Sequence, residues 1–161
     1  SMEQTSYPVA IKLPGGPMIS DGLSVTKDFG RLNRYEVAQT GEKIAIIGLG
    51  TFFELAKEAA KLLKEEAGIN ATVINPYYIT GLDETLLTKL KQNHDTVITL
   101  EDGILDGGFG EKIARFYGAS NMKVMNYGLK KEFLDRYDVD AVLKENHLTV
   151  EQIVEDVLSI S

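Results

Sequence analysis

The chain of 161 residues carries 17 Lys and Arg against 24 Asp and Glu, a formal net charge of −7, with two His and no Cys. The missing cysteines exclude a disulfide framework, a thiolate zinc site and a Cys nucleophile, and two histidines leave little for a transition-metal site. An acidic balance argues against nucleic acid or an anionic membrane surface as the main partner, and no apolar run approaches the roughly 20 residues of a membrane helix. The length suits one domain, and the opening residues lack the basic-then-apolar pattern of a signal peptide. The expectation is a soluble, cytoplasmic domain. Ser1 ahead of Met2 reads as a protease scar, so the chain is expected to be a piece of a longer polypeptide.

Residues 1–33 read as an arm or interdomain linker, because the strand-like run 6–13 is broken by Pro14-Gly15-Gly16-Pro17. Residues 34–161 form the domain proper. A strand over 34–39 is expected to join a second strand, 44–48, through a tight turn at Thr40-Gly41-Glu42, giving an antiparallel edge. The run Ile44-Ala45-Ile46-Ile47 is apolar throughout, as in a strand covered on both faces of a parallel sheet. After Gly48-Leu49-Gly50, Thr51 is expected to cap a helix on which Leu55, Ala56, Ala59, Leu62 and Leu63 recur at helical spacing, ended by Gly68.

The cycle then repeats. Residues 71–75 read as a strand stopped by Pro76. A helix over 83–92 begins with Asp83 and Glu84 and ends in lysines, which complements its dipole. A strand follows at 96–101, then a helix over 107–117 entered through glycines, a strand at 123–126 and a short helix at 131–137. Thr149-Val150-Glu151-Gln152 fits a capping box, with Leu148 stapled to Ile153, before a last helix to about residue 158. Alternating strands and helices imply right-handed crossovers and a doubly wound, three-layer α/β sandwich, mostly parallel with one antiparallel edge strand.

Candidate chemistry is sparse. Gly48-Leu49-Gly50 between strand and helix invites a dinucleotide reading, but bulky Phe53 stands where the third Gly is needed and Asn75 where a ribose-binding acid belongs. Gly107-Gly108-Phe109-Gly110 also opens a helix whose free amides could hold an anion. Glu101, Asp102, Asp106 and Glu111 crowd that position with negative charge, so the glycines are expected to allow a close turn while the acids cap nearby amides. Glu101 and Asp102 sit at the strand end where open α/β sheets bind ligands. Adjacent strand residues face opposite ways and make no acid–base pair alone; the favoured role is an acceptor at an interface, with catalysis the rival. Asp135, Asp138 and Asp140 lack the Gly and distal Glu of a calcium loop and read as helix caps. His94 and His147 read as surface or C-cap residues. Tyr77 and Tyr78 sit on the sheet's carboxyl edge, suited to a pocket or a neighbouring domain. No catalytic, cofactor-binding or metal-ligating residue emerges. Gly50, Thr51, Tyr77, Glu101, Asp102, Gly107, Gly108 and Gly110 are the candidate interface or sheet-edge positions.

Several segments come in a fixed order: residues 7–12, Gly41-Glu42-Lys43 with 44–51, Leu82-Asp83-Glu84-Thr85-Leu86-Leu87, and Leu100-Glu101-Asp102-Gly103 with Gly107-Gly108-Phe109-Gly110. That series resembles the C-terminal domain of the transketolase-like thiamine diphosphate enzymes. The closing Asn126-Tyr127-Gly128-Leu129, Phe133-Leu134 and the 143–148 segment are most similar to the 1-deoxy-D-xylulose-5-phosphate synthase branch. The resemblance implies a cytoplasmic homodimer several times longer than this chain. It would use thiamine diphosphate and Mg2+ to join a two-carbon unit from pyruvate, with loss of CO2, to glyceraldehyde 3-phosphate, at the entry to non-mevalonate isoprenoid synthesis. The cofactor ligands would lie in the N-terminal and central domains, and this domain would support the dimer without being catalytic alone. The matching domain of a transketolase or of a 2-oxo acid dehydrogenase beta subunit is the near alternative, and an autonomous anion- or partner-binding module the distant one. The chain departs from the family pattern at Gly15, at Asn75 and Tyr77, at Thr80-Gly81, and at Lys130-Lys131.

Overall fold

A computed structural model describes residues 32–133 and 135–160. The expected arm, with its strand-like run and Gly15, lies outside them but for its last residues. The elements run β1 (Glu36–Gln39), β2 (Lys43–Gly48), α1 (Phe52–Ala67), β3 (Thr72–Asn75), α2 (Glu84–Leu90), β4 (His94–Ile104), α3 (Phe109–Tyr117), β5 (Lys123–Leu129), α4 (Val139–Glu145) and α5 (Val150–Ser159). The five strands form one sheet in the order β1-β3-β2-β4-β5. All neighbours are parallel except β1, which runs antiparallel to β3.

The alternation of β2 explains the three layers. Ile44 and Ile46 face a core shared with Ala56, Ala59 and Leu63 of α1 and Ile153, Val154 and Val157 of α5. Ala45 and Ile47 face the opposite core, with Leu87 of α2 and Ile113 and Tyr117 of α3. Helices therefore cover both faces, as the continuous apolar run requires. Gly68 (φ 69°) ends α1 with its amide on Lys64 O at 3.1 Å, the left-handed cap expected of it. Leu148 and Ile153 are both buried in the α1–α5 core. Thr149 Oγ1 accepts from the Gln152 amide at 3.3 Å and its hydroxyl donates to Gln152 Oε1 at 3.1 Å, while Gln152 Nε2 donates to Lys144 O at 3.1 Å, so the two side chains of the capping box bond to each other.

Two expectations are corrected. The tight hairpin does not form, since β1 pairs with β3 and not with β2. Both β2 and β3 are almost wholly buried while β1 is exposed along its length, so the two apolar strands take inner positions and the polar one takes the edge. The connection must then cross the start of β3. Two strand spacings make about 10 Å, and four residue steps reach about 13 Å. Gly41 donates to Thr72 Oγ1 at 2.9 Å and Glu42 to Asn70 O at 2.9 Å on the way. The expected helix at 131–137 is also absent: Arg136 has φ 52° and Phe133 is 97% exposed. The 133/137 spacing is helical, but Phe133 and Tyr137 are both exposed, so that face gains no packing to stabilise a short helix. The helix forms later, at α4, where the Asp138 side chain accepts from the Asp140 amide at 3.0 Å.

Candidate functional site

Strand order reverses between β2 and β4, so the carboxyl ends of these strands flank the crevice where open α/β sheets place ligands. Glu101 lies at that end of β4 and is buried. Its Oε2 accepts from the Phe109 amide at 2.8 Å and its Oε1 from the Gly110 amide at 2.9 Å, the first two residues of α3. A helix start favours negative charge, and here the protein's own carboxylate fills that position. The glycines make room for it. A Cβ on Gly108 would lie 2.6 Å from either Glu101 oxygen, and one on Gly110 would lie 2.7 Å from Thr99 Oγ1 and Asn126 Cγ. Gly107 turns through φ 72° and donates to Glu111 Oε2 at 3.0 Å. Capping by acids around a close glycine turn is thus the observed arrangement.

The other candidates fall around this constellation. Asp102 is exposed, opposite in sense to buried Glu101, so the two carboxylates share no face. Where β2 meets the following turn, its last residue Gly48 is the glycine in contact: a Cβ there would meet Phe52 O at 2.6 Å and Ala56 Cβ at 2.9 Å. Gly50 (φ 53°) is exposed beside open space. Thr51 begins α1 without a side-chain cap bond, against expectation, because its own backbone is already helical (φ −65°, ψ −26°) and a capping residue needs extended geometry. Tyr77, after β3, has φ 49° and is half exposed. Its hydroxyl donates to the Glu36 carboxylate and its amide to Asn75 Oδ1 at 3.2 Å. The next turn is anchored by Lys112 Nζ donating to Ile79 O at 3.2 Å.

Sequence reasoning missed the role of Asp83. This buried carboxylate caps α2 through the Leu86 amide (3.1 Å) and also accepts from the Tyr35 amide (3.0 Å) and Arg34 Nη1 (3.1 Å). It ties the chain entering β1 to the loop after β3. Its acid-first position was visible, but partners 48 and 49 residues away leave no trace in local spacing. Tyr35 beside it packs edge-on against Phe109 with ring centroids 6.2 Å apart. Burial is the chief cause that pushes its phenol up to about 12, and the Asp83 charge adds to the rise.

His94 is not the surface residue expected, although the C-cap half of that reading holds. It is buried at the start of β4, with Nδ1 3.1 Å from Leu90 O and Nε2 2.8 Å from Thr72 Oγ1. A carbonyl only accepts, so Nδ1 carries the proton and Nε2 accepts from the Thr72 hydroxyl. Thr72 in turn accepts from Gly41, and the relay joins α2, β4, β3 and the crossover. Burial lowers the imidazole pKa from 6.5, against smaller raising effects from the Leu90 carbonyl and the Asp95 and Glu42 charges. Below pH 6.5 the unfolded chain therefore binds the proton first. The stability due to neutral His94 is full above 6.5 and is lost as pH falls through the lower folded value. Urea midpoints measured from pH 7.5 down to pH 5 should fall for the natural chain, and His94→Gln should flatten that part of the profile.

Thiamine diphosphate and Mg2+ do not fit these residues. Glu101 already takes the two amides a phosphate would use, and the described residues include no group of three or more His, Cys, Asp or Glu placed to hold a metal ion. Among them no helix is long and apolar enough to cross a membrane.

The class defined is a doubly wound α/β domain whose Asp83 and Glu101 carboxylates, after β3 and at the end of β4, cap its own helices α2 and α3. A family model described as the transketolase C-terminal domain matches residues 33–153, and the chain belongs to that family. The 1-deoxy-D-xylulose-5-phosphate synthase of Symbiobacterium thermophilum is 35% identical over 150 residues, which are 92% of this chain and 23% of that protein. The synthase of Clostridium tetani is 34% identical over 155 residues, 95% of this chain and 25% of that one. A solved structure, described as a split gene transketolase in an inactive beta4 tetramer, superposes with a TM-score of 0.72 at 27% identity. The match covers 80% of this chain and 42% of that one. The chain spans about a quarter of the length of the curated relatives it matches.

Proposed function

We propose that this chain is the C-terminal domain of a 1-deoxy-D-xylulose-5-phosphate synthase. In this reading the whole cytoplasmic, homodimeric enzyme uses thiamine diphosphate and Mg2+, held by its N-terminal and central domains. It joins the two-carbon unit of pyruvate, with loss of CO2, to glyceraldehyde 3-phosphate for isoprenoid synthesis. The observation that carries the reading is similarity to enzymes of that name at 34–35% identity over more than nine-tenths of the chain. The self-satisfied sheet edge agrees with it, since a domain whose best anion position is filled by Glu101 contributes support and not chemistry. Two measurements test this. Titrating the isolated chain with thiamine diphosphate and Mg2+ should give no binding heat. The polypeptide of the complete reading frame should consume pyruvate and glyceraldehyde 3-phosphate together, with release of CO2.

A second reading has its own observation, the likeness to a split gene transketolase. In that case the domain belongs to a separately encoded subunit, and the complete reading frame would yield no activity until its companion is added.

A further inference from the structure

We propose that the carboxyl edge of the sheet is the docking face for the polypeptide that precedes this domain in its longer relatives, seated on Tyr77, Ile79, Ile104, Phe133, Tyr137 and Val139. The inference rests on the reading that the chain is the C-terminal part of such an enzyme. Phe133 is 97% exposed, Tyr137 and Val139 57% each, Tyr77 56%, Ile104 44% and Ile79 41%. Five of them stand at the last residue of β4 or in the connections beyond β3 and β5, and Val139 opens α4 directly after the connection from β5. Ile104 pairs in register with Leu129, the residue that leads into the Phe133 loop. The opposite edge differs. Its connections, at 40–42, 68–71, 91–93 and 118–122, contain no large exposed apolar side chain; Ile160 is exposed near it, its carbonyl accepting from Lys123 at the start of β5, Val37 is exposed on the outer strand β1, and exposed Leu32 lies just ahead of the chain's entry into β1. Scattered surface apolar residues need no explanation, but their segregation to one edge marks an interaction surface.

The path of the chain says what covers it. Because β1 is antiparallel to β3, with Glu36 opposite Asn75, the chain enters the domain at this same edge. The entry is pinned there: Asn33 Oδ1 accepts from the Gly81 amide at 2.7 Å and from Thr80 Oγ1 at 2.9 Å, and Arg34 pairs with Asp83. The relatives' matched part is about a quarter of their length and belongs to a family named for the C-terminal domain. Most of such a protein therefore arrives from the side on which these side chains stand uncovered. A second copy of this domain has no such delivery.

Amide hydrogen exchange compares this chain alone with the polypeptide of the complete reading frame. Peptides spanning 130–139 and 77–79 should exchange at least about tenfold more slowly in the complete polypeptide, while peptides at 91–93 keep the same rate. Phe133→Ser with Tyr137→Ser should leave the melting of the isolated chain unchanged, lower that of the complete polypeptide and remove the added protection. Equal exchange in both forms overturns the proposal. So does a dimer of the isolated chain in sedimentation that the double variant disperses, for then a second copy is the occupant, and so does a reading frame that encodes nothing ahead of this domain. Turnover of pyruvate with glyceraldehyde 3-phosphate separates the two ideas. An active polypeptide with an unprotected edge keeps the functional reading and loses the surface, whereas a protected edge on a polypeptide inactive in that assay does the reverse.

Discussion

Gly41→Ala is expected to destabilise the chain by about 3 kcal/mol or more, at the upper end of what overpacking costs. The added Cβ would lie 1.9 Å from Asn70 O and 2.5 Å from Ala71 C, both backbone atoms in the segment that opens β3. No rotamer change can relieve that contact, since relief requires moving the crossover away from β3. Movement would break the Gly41 bond to Thr72 and the Glu42 bond to Asn70, and with the first the support of the His94 relay. Gly50→Ala is the internal comparison. Gly50 has φ 53° and open space around its missing Cβ, so only the left-handed backbone is strained, at about 1 kcal/mol. Urea unfolding of both variants decides the matter, and equal losses would show that the crossover has slack. The dangerous glycine is thus the one in an inconspicuous turn, not the one in the Gly48-Leu49-Gly50 motif that draws attention in the sequence.

That contrast shows what was legible. Ile44-Ala45-Ile46-Ile47 announced a strand buried on both faces, and the observed cores on its two sides bear this out. Period and capping residues likewise placed α1, α2, α3 and α5, because each helix carries its own start or stop signal. Pairing did not follow from local signals. Thr40-Gly41-Glu42 has the composition of a tight turn, yet the burial that β3 needs outweighs the short loop and sends the chain past it. The same limit hid Asp83 and His94, whose partners Arg34, Tyr35 and Thr72 are 22 to 49 residues away. The misplaced helix at 131–137 is the converse case, for Phe133 and Tyr137 have helical spacing but both are exposed and take no part in either core. At the candidate site, the acid-rich glycine turn was readable as self-capping because like charges within a few residues exclude a second anion. Which acid does the capping was not readable, since Glu101 reaches α3 only through the geometry of the β4 end.

Removing that cap tests the second large effect. Glu101→Ala should destabilise the chain by about 2–4 kcal/mol, because it deletes two charge-assisted bonds and leaves the amides of Phe109 and Gly110 buried without acceptors. Glu101→Gln should lose about half as much: its oxygen still accepts from one amide while its NH2 group confronts the other. Gly108→Ala should cost about 1–3 kcal/mol in the natural chain, as its Cβ would stand 2.6 Å from both carboxylate oxygens and must push the group off its amides. With Glu101→Ala already present there is no carboxylate to displace, and Gly108 has an extended backbone (φ −73°, ψ −177°) that alanine adopts freely. The second substitution should then cost less than about 0.5 kcal/mol, leaving a coupling energy of about 0.5–3 kcal/mol in the double-mutant cycle. Strict additivity would mean that the glycine turn and the carboxylate act independently. In that case the small residue at 108 would not be what seats the Glu101 carboxylate on the start of α3, and the close contact between them would carry no energy.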